Sequence, residues 1–444
     1  MERIVTLVNL RYPYGGKQIY LNHSLVSVAA RLLLLDPCCR VRFVDLNVEE
    51  YQPRLFAGSE KIGISLLGAP YIPAAIDFVR KVQNDFPGKK IAVGGQVIEK
   101  ISCQAFTEIF KGLETKQIID DNDFAEWFGI NAQDIPSPLE VSCVSAWKQL
   151  PLELLREYLQ HEMTLDVSRG CAFNCSFCAA RKDQRERLIS LEILEKDLGF
   201  LARTAKFLGL KELKFYASSL DFFQNPTEKI KLLKILAKIR LEIGLDIKVR
   251  CLTCMSSFLS AGKVPNFSNL VKGAGIYCVG FGVDGTEEVW IRENKKHNKP
   301  GDIQRCIALC HQLGVKGELL MVLGFPDDSL KVLLETMWNC ILYGFQPGVE
   351  LRPYLAKDPV PGNEYWPRWE QIFVQDPQKF RLIDYFALQS ILIDESFWHR
   401  WACNLTYLFV VGLLRLVGRC SSIPLLPYRG AVAKIWNRLM PADR

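Results

Sequence analysis

Short apolar runs alternate with amphipathic stretches through most of this chain, and they do so in two separate series. In the first, RIVTLV, VRFVDL, KIGISLL and KIAVGG are runs of the kind that become parallel strands covered on both faces. Between them, SLVSVAARLLLL and IPAAIDFVRKVQNDF carry apolar residues three and four apart, the spacing of a helix with one buried face. This alternation predicts an α/β, doubly wound (Rossmann-like) domain over residues 1–135, with its ligand site at the carboxyl ends of the strands. Residues 136–162 lie in a proline-bearing, aperiodic stretch and read as a linker. The second series, from about Met163, offers strands at MTLDVS, ELKFYA, DIKVRC, IYCVGFGV, VKGELLMVLG and GVELRPY, separated by long helical segments. Six strand–helix units predict a partial (β/α)6 TIM barrel over 163–366, with chemistry at the C-terminal strand ends. A small, mostly helical C-terminal region, 367–444, completes the division.

Composition narrows the class. The 444 residues are 49% hydrophobic and 23% charged, as in an ordinary globular protein. Net charge is +6 with no long basic run, so no nucleic acid partner is indicated. The 15 cysteines follow no disulfide spacing, and the N-terminus reads as a first strand rather than an export signal. The expected location is the cytoplasm. LTYLFVVGLL (405–414) is about half the length needed to span a bilayer. It reads as a buried helix or, with the basic amphipathic tail AVAKIWNRLMPADR, as a place of peripheral membrane contact or of docking on a greasy substrate.

One segment carries the chemistry. SRGCAFNCSFCAARK (168–182) packs Cys171, Cys175 and Cys178 into eight residues directly after the first strand of the second series. A tetrahedral zinc site or a protein-held cubane takes four ligands, so three thiols leave one corner open. A ferredoxin-like site would need a fourth cysteine nearby, and none follows for some seventy residues. Cys251 and Cys254 form a CxxC without a second pair at zinc spacing. Cys306 and Cys310 share a helix face and read as core.

The CxxxCxxC, with Phe177 before its last cysteine, resembles the signature of the radical S-adenosylmethionine enzymes. The resemblance implies a 4Fe–4S cluster on the three thiolates. S-adenosylmethionine would chelate the open iron, and one electron would release a 5′-deoxyadenosyl radical. It extends in order along 163–366. Gly282-Val283-Asp284-Gly285 resembles the fourth-strand Gly-Ile-Glu-Ser-Gly of one branch, which is followed by a Leu and a Lys. Gly324-Phe325-Pro326 resembles the Gly-Phe-Pro turn after strand five, and PVPGNEYW (359–366) the Pro-Gly-Thr turn that closes the core. FYASSLD (215–221) stands where the branch receives the methionine amino group, which points to Tyr216, Ser218 and Ser219. Asp284 is a candidate for the ribose hydroxyls. Asp221 reads as a cap or turn former, and Arg250 as a bidentate carboxylate binder or a surface ion pair.

A doubly wound domain before such a barrel resembles the cobalamin-binding domain of a large branch of these enzymes. Ser65-x-Leu67 after the third strand and Gly94-Gly95 after the fourth match that pattern, the glycines letting a nucleotide tail approach the backbone. Where the pattern has Asp-x-His-x-x-Gly, this chain has LRYPYGG (10–16), so no histidine of that loop could ligate cobalt. His23, a few residues on, reads as part of a helix start.

Together these imply a radical S-adenosylmethionine enzyme, in the main reading a cobalamin-dependent methyltransferase acting on an unactivated carbon. The alternative within the fold is a cobalamin-free cyclisation, oxidation or rearrangement; the alternative outside it is a non-enzymatic iron–sulfur or zinc module. Implied partners are a small-molecule, lipid or peptide substrate and an electron donor such as flavodoxin or ferredoxin. No residue of the sequence identifies a catalytic acid or base.

Overall fold

The architecture comes from a computed structural model, which describes residues 3–12, 19, 21–180, 185–295, 297–325, 327–356, 360–383, 397–416 and 418. Pro326, most of LRYPYGG and the 431–444 tail lie outside them.

The N-terminal strands are β1 (Arg3–Asn9), β2 (Cys39–Asp45), β3 (Lys61–Ser65), β4 (Lys90–Gly94) and β5 (Thr115–Gln117). They form one parallel sheet in the order β2-β1-β3-β4-β5, with helices His23–Leu35 and Ile72–Asp85 among its covers. β3 is buried along its whole length, as a strand covered on both faces must be. β5 was not legible in the sequence, because its three residues, Thr-Lys-Gln, carry no apolar signal.

β6 (Glu162–Asp166) opens the second sheet. A two-stranded antiparallel ribbon, β7 (Ser168–Arg169) with β8 (Arg187–Leu188), brackets the cysteine loop. Then come β9 (Glu212–Ser218), β10 (Asp246–Thr253), β11 (Ile276–Gly282), β12 (Lys316–Leu323) and β13 (Val349–Leu355). All six main strands are parallel and adjacent in chain order, β6-β9-β10-β11-β12-β13, the topology of an unclosed barrel. Burial alternates strictly along β9 and β10: Leu213, Phe215 and Ala217 pack under helices while Tyr216 and Ser218 face the lumen.

Residues 136–162 hold two short helices, Val144–Trp147 and Leu152–Leu159, and bury Trp147, Tyr158 and Leu159 in the core shared by both sheets. The Tyr158 hydroxyl donates to Asp45 at the end of β2. Residues 366–383 pack on the first domain, placing Trp366, Phe373 and Phe380 in its core, whereas helix Phe397–Leu416 lies on helix Leu330–Gly344 and β13. The C-terminal region therefore braces both domains.

Candidate functional site

A cavity of about 710 Å³ lies between the two sets of strand ends. Ser65, Gly94 and Gly95 of the first domain line it, as do Asp166, Ser168, Gly170, Tyr216, Ser218 and Ser219 of the second. Leu67 is partly exposed and is not among the lining residues. The Ser65 hydroxyl is buried without a hydrogen-bond partner, an oxygen that a ligand in the cavity could satisfy. Gly95 has φ +101°, and a Cβ there would lie 2.6 Å from the Leu66 carbonyl oxygen, so only glycine fits.

On the barrel side the cysteine loop leaves β7 through Gly170 at φ +92°. Cys175 is buried, Cys171 and Cys178 half-buried. Burial pushes the Cys171 thiol up to about 11 and the Cys175 thiol to about 12, so a bound cation would favour their thiolate forms. Among the described residues no three His, Cys, Asp or Glu side chains close around a single metal ion. A multi-iron cluster takes thiolates spread more widely than one zinc ion does.

Residues just after β11 hold this loop, and the sequence reading named none of them for it. The Ser176 amide donates to the Glu293 carbonyl at 3.1 Å, and the Ser176 hydroxyl donates to the Glu293 carboxylate. Tyr365 donates to the same carboxylate at 2.7 Å, and Arg292 reaches it at 3.1 Å. Asn294 donates to the Asn174 carbonyl at 2.9 Å, and the His297 ring stacks on Phe173 at 3.8 Å. Lys295 is buried, pairs with Asp284, and lies 5.7 Å from the Phe177 ring. Burial would lower its pKa, but Asp284 and the neighbouring Cys175 outweigh that and hold the ammonium charged. The only hint in the sequence was the Lys that ends the fourth-strand pattern, to which no residue had been matched.

The other singled-out residues divide. Phe177 packs edge-on against Phe325 at 5.6 Å, joining the cysteine loop to the turn after β12. Gly324 takes φ +76°, and the Phe325 amide donates to Asp328, itself paired with Arg292 at 2.6 Å. Asp284, at φ +51°, gives its carboxylate to Lys295 and so faces a cation of the chain rather than open cavity. Ser218 faces the cavity, while the Ser219 hydroxyl is bound to Ser168 at 2.7 Å.

Arg250 does grip a carboxylate with two nitrogens, but the partner is buried Glu318 (2.9 and 3.4 Å), below the strand ends, with Glu162 at 3.3 Å. Its guanidinium also covers the Tyr216 ring at 5.2 Å, and burial pushes that phenol up to about 12. Asp221 caps the loop after β10, accepting from Thr253, Ser257 and the Cys254 amide. Cys251 is buried under helices and Cys254 sits half-buried at the strand end, both as free thiols; Cys306 and Cys310 are core. His23 does start a helix, but its ring is committed to Asp166 at 3.3 Å.

Comparison with known proteins agrees with this geometry. Residues 165–337 match the Radical SAM superfamily. Over 206 residues the chain is 24% identical to an uncharacterised methyltransferase, PH0819, of Pyrococcus horikoshii, a match covering 45% of this chain and 40% of that protein's length. In structure it is similar to the radical S-adenosylmethionine methyltransferase TsrM of Kitasatospora setae, solved with cobalamin and a [4Fe-4S] cluster. The TM-score is 0.60 at 16% identity, over 84% of this chain and 76% of that one. The cobalamin-dependent radical enzyme OxsB gives 0.60 at 17% identity, over 85% of this chain and 56% of its own. Sequence match, partial barrel and cysteine loop coincide on residues 165–337, which form a Radical SAM superfamily domain, and the chain as a whole shares the fold of the TsrM and OxsB structures.

Proposed function

We propose that this chain is a cobalamin-dependent radical S-adenosylmethionine methyltransferase that methylates an unactivated carbon of a small molecule. One observation carries the reading. The strand ends below the three-thiol loop and those bearing the unpartnered Ser65 hydroxyl beside Gly95 open into the same cavity. When bound there, S-adenosylmethionine on a 4Fe–4S cluster supplies a carbon-centred radical and methylated cobalamin supplies the methyl group.

In this reading Cys171, Cys175 and Cys178 hold the cluster, Phe177 and Phe325 keep water from one side of it, and the Lys295–Asp284 ion pair lies beside it with little net charge. Tyr216 and Ser218 line the floor on which S-adenosylmethionine rests, and Gly324 lets the backbone turn beside it. Arg250 serves the barrel rather than the cofactor. Ser65, Gly94 and Gly95 receive the nucleotide tail of cobalamin. His23 lies between Asp166 and Cys143 rather than in this group of cobalamin-holding residues. An electron donor such as flavodoxin or ferredoxin and the reducing cytoplasm suit an oxygen-sensitive cluster.

Anaerobic reconstitution tests this. We expect iron and sulfide near four per chain, an electron paramagnetic resonance signal that S-adenosylmethionine shifts, and a bound-cobalamin absorption spectrum. Cys175→Ala should lose the iron and all 5′-deoxyadenosine formation. Failure to bind hydroxocobalamin at micromolar concentration would replace methyl transfer with a cobalamin-free cyclisation, oxidation or rearrangement. Full iron in each single cysteine variant would remove the cluster assignment altogether.

A further inference from the structure

Helices Leu330–Gly344 and Phe397–Leu416 lie side by side on the outside of the barrel, and their outer faces are apolar where a soluble protein carries charge. On the first, Leu330, Leu334, Trp338 and Leu342 recur every four residues and are exposed, followed by Phe345. On the second, Trp398, Trp401, Leu405, Phe409 and Leu416 follow the same side, and every exposed residue whose burial is described on that helix is apolar. The inner faces account for core packing by themselves: Val332, Leu333 and Cys340 on one, Tyr407, Val410 and Leu414 on the other. Ten large outward side chains, three of them tryptophans exposed by 61, 71 and 52%, make a patch well beyond scattered surface hydrophobics.

We propose that this face docks on the surface of a lipid bilayer containing anionic headgroups. Tryptophan is the side chain most suited to the headgroup boundary, and neither helix is long and apolar enough to cross a membrane, which fits lying on the surface. Charge is complementary. The two helices carry Lys331, Arg400 and Arg415 against Glu335, and in sequence 419–444 adds five Lys or Arg against Asp443 while 384–396 adds Asp384, Asp394 and Glu395, which leaves the excess positive.

The face is tied to the site. The Asp328 carbonyl, in the turn after Gly324, lies 3.0 Å from the His399 ring at the start of the second helix, and Ser329 caps the first. Docking would therefore set the edge of the barrel mouth against the membrane, where a lipid-dissolved substrate could enter. The docking itself does not depend on the methyl-transfer reading.

The test is co-sedimentation of the full chain with vesicles of phosphatidylcholine, with and without phosphatidylglycerol. Wild type should pellet with the anionic vesicles, more weakly with the neutral ones and less in high salt, and its tryptophan emission should shift to the blue. Leu334→Glu and Phe409→Glu alter only outward side chains. Each should weaken vesicle binding roughly tenfold or more while leaving the iron content and the circular dichroism spectrum unchanged. The proposal is overturned if wild type stays in solution with both compositions, or if the two variants pellet as it does. It is likewise overturned if the protein is a dimer without lipid that Phe409→Glu makes monomeric, because the face then belongs to a second copy.

Discussion

His23, the first residue of the first helix, lies 3.3 Å from Asp166, the last residue of the strand that leads into the cysteine loop. One domain's helix start thus touches the other domain's strand end at the rim of the shared cavity. Arg169 holds the same carboxylate at 3.2 Å, and the Cys143 sulfur faces the other ring nitrogen at 3.9 Å. The pair joins the two domains at the cavity rim, so its ionisation bears on stability.

Burial alone would lower the His23 pKa, but Asp166 and Cys143 raise it well above the ordinary imidazole value. Burial would raise Asp166, but His23 and Arg169 hold it far below the usual carboxylate range. A raised histidine stabilises fully below its unfolded pKa, about 6.5, and loses this as pH climbs through the folded value. A lowered aspartate stabilises above about 3.9 and loses this as pH falls through its folded value. The pair therefore contributes most between roughly pH 4 and 6.5. Urea midpoints should fall more steeply for wild type than for His23→Gln as pH rises above that window. Asp166→Asn, which leaves a buried imidazole unpaired, should cost about 3 kcal/mol near pH 6. Parallel pH profiles for wild type and His23→Gln would remove the pair from this role.

Ser65 and Gly95 separate ligand binding from folding. Ser65 has no partner to lose, so Ser65→Ala should leave the urea midpoint unchanged. It should weaken hydroxocobalamin binding by about five- to tenfold, the worth of one hydrogen bond. Gly95→Ala meets the Leu66 backbone and a left-handed φ, and should lose about 3 kcal/mol of stability. Absorption titration and denaturation, run on both variants, check the contrast. Unchanged cobalamin affinity in Ser65→Ala would exclude that hydroxyl as a contact.

Glu293 is the clasp of the cysteine loop, since it joins Ser176 to Tyr365 and Arg292. Glu293→Ala should cost about 3 kcal/mol and release cluster iron to a chelator several-fold faster, while Tyr365→Phe should cost only about 1 kcal/mol. Iron release timed by absorbance distinguishes them, and equal rates in all three proteins would mean the loop holds itself.

Much of this arrangement was legible because it is local. Strand runs such as KIGIS and the alternation in ELKFYAS follow from burial on one or two faces, and the three-cysteine spacing is itself the signal. What was not legible is long-range pairing. Arg250 read as a cation closing its strand, but the strand runs on to Thr253 and Glu318, 68 residues on, takes the guanidinium. His23 showed a helix start but not Asp166. The proline-bearing stretch after residue 135 suggested an open linker, yet Trp147 and Tyr158 bury there because both domains offer apolar surface. Residues 366–383 likewise cross back to the first domain, which no periodicity could reveal.

Lys295 gives the most direct electrostatic test of the cluster's surroundings. It is a buried cation beside Cys175, neutralised by Asp284, so the pair adds little net charge near the thiolates. Lys295→Met leaves Asp284 as an unpaired buried carboxylate, which should destabilise the protein by about 3–5 kcal/mol. It also leaves one more negative charge near a cluster that must accept an electron, so the midpoint potential should become more negative. The double variant Lys295→Met/Asp284→Asn removes both charges and should recover most of the stability and most of the potential. Redox titration followed by electron paramagnetic resonance, with iron counted in each sample, measures this. A potential that moves positive in Lys295→Met, or stays shifted in the double variant, would mean that Lys295 acts through shape rather than charge.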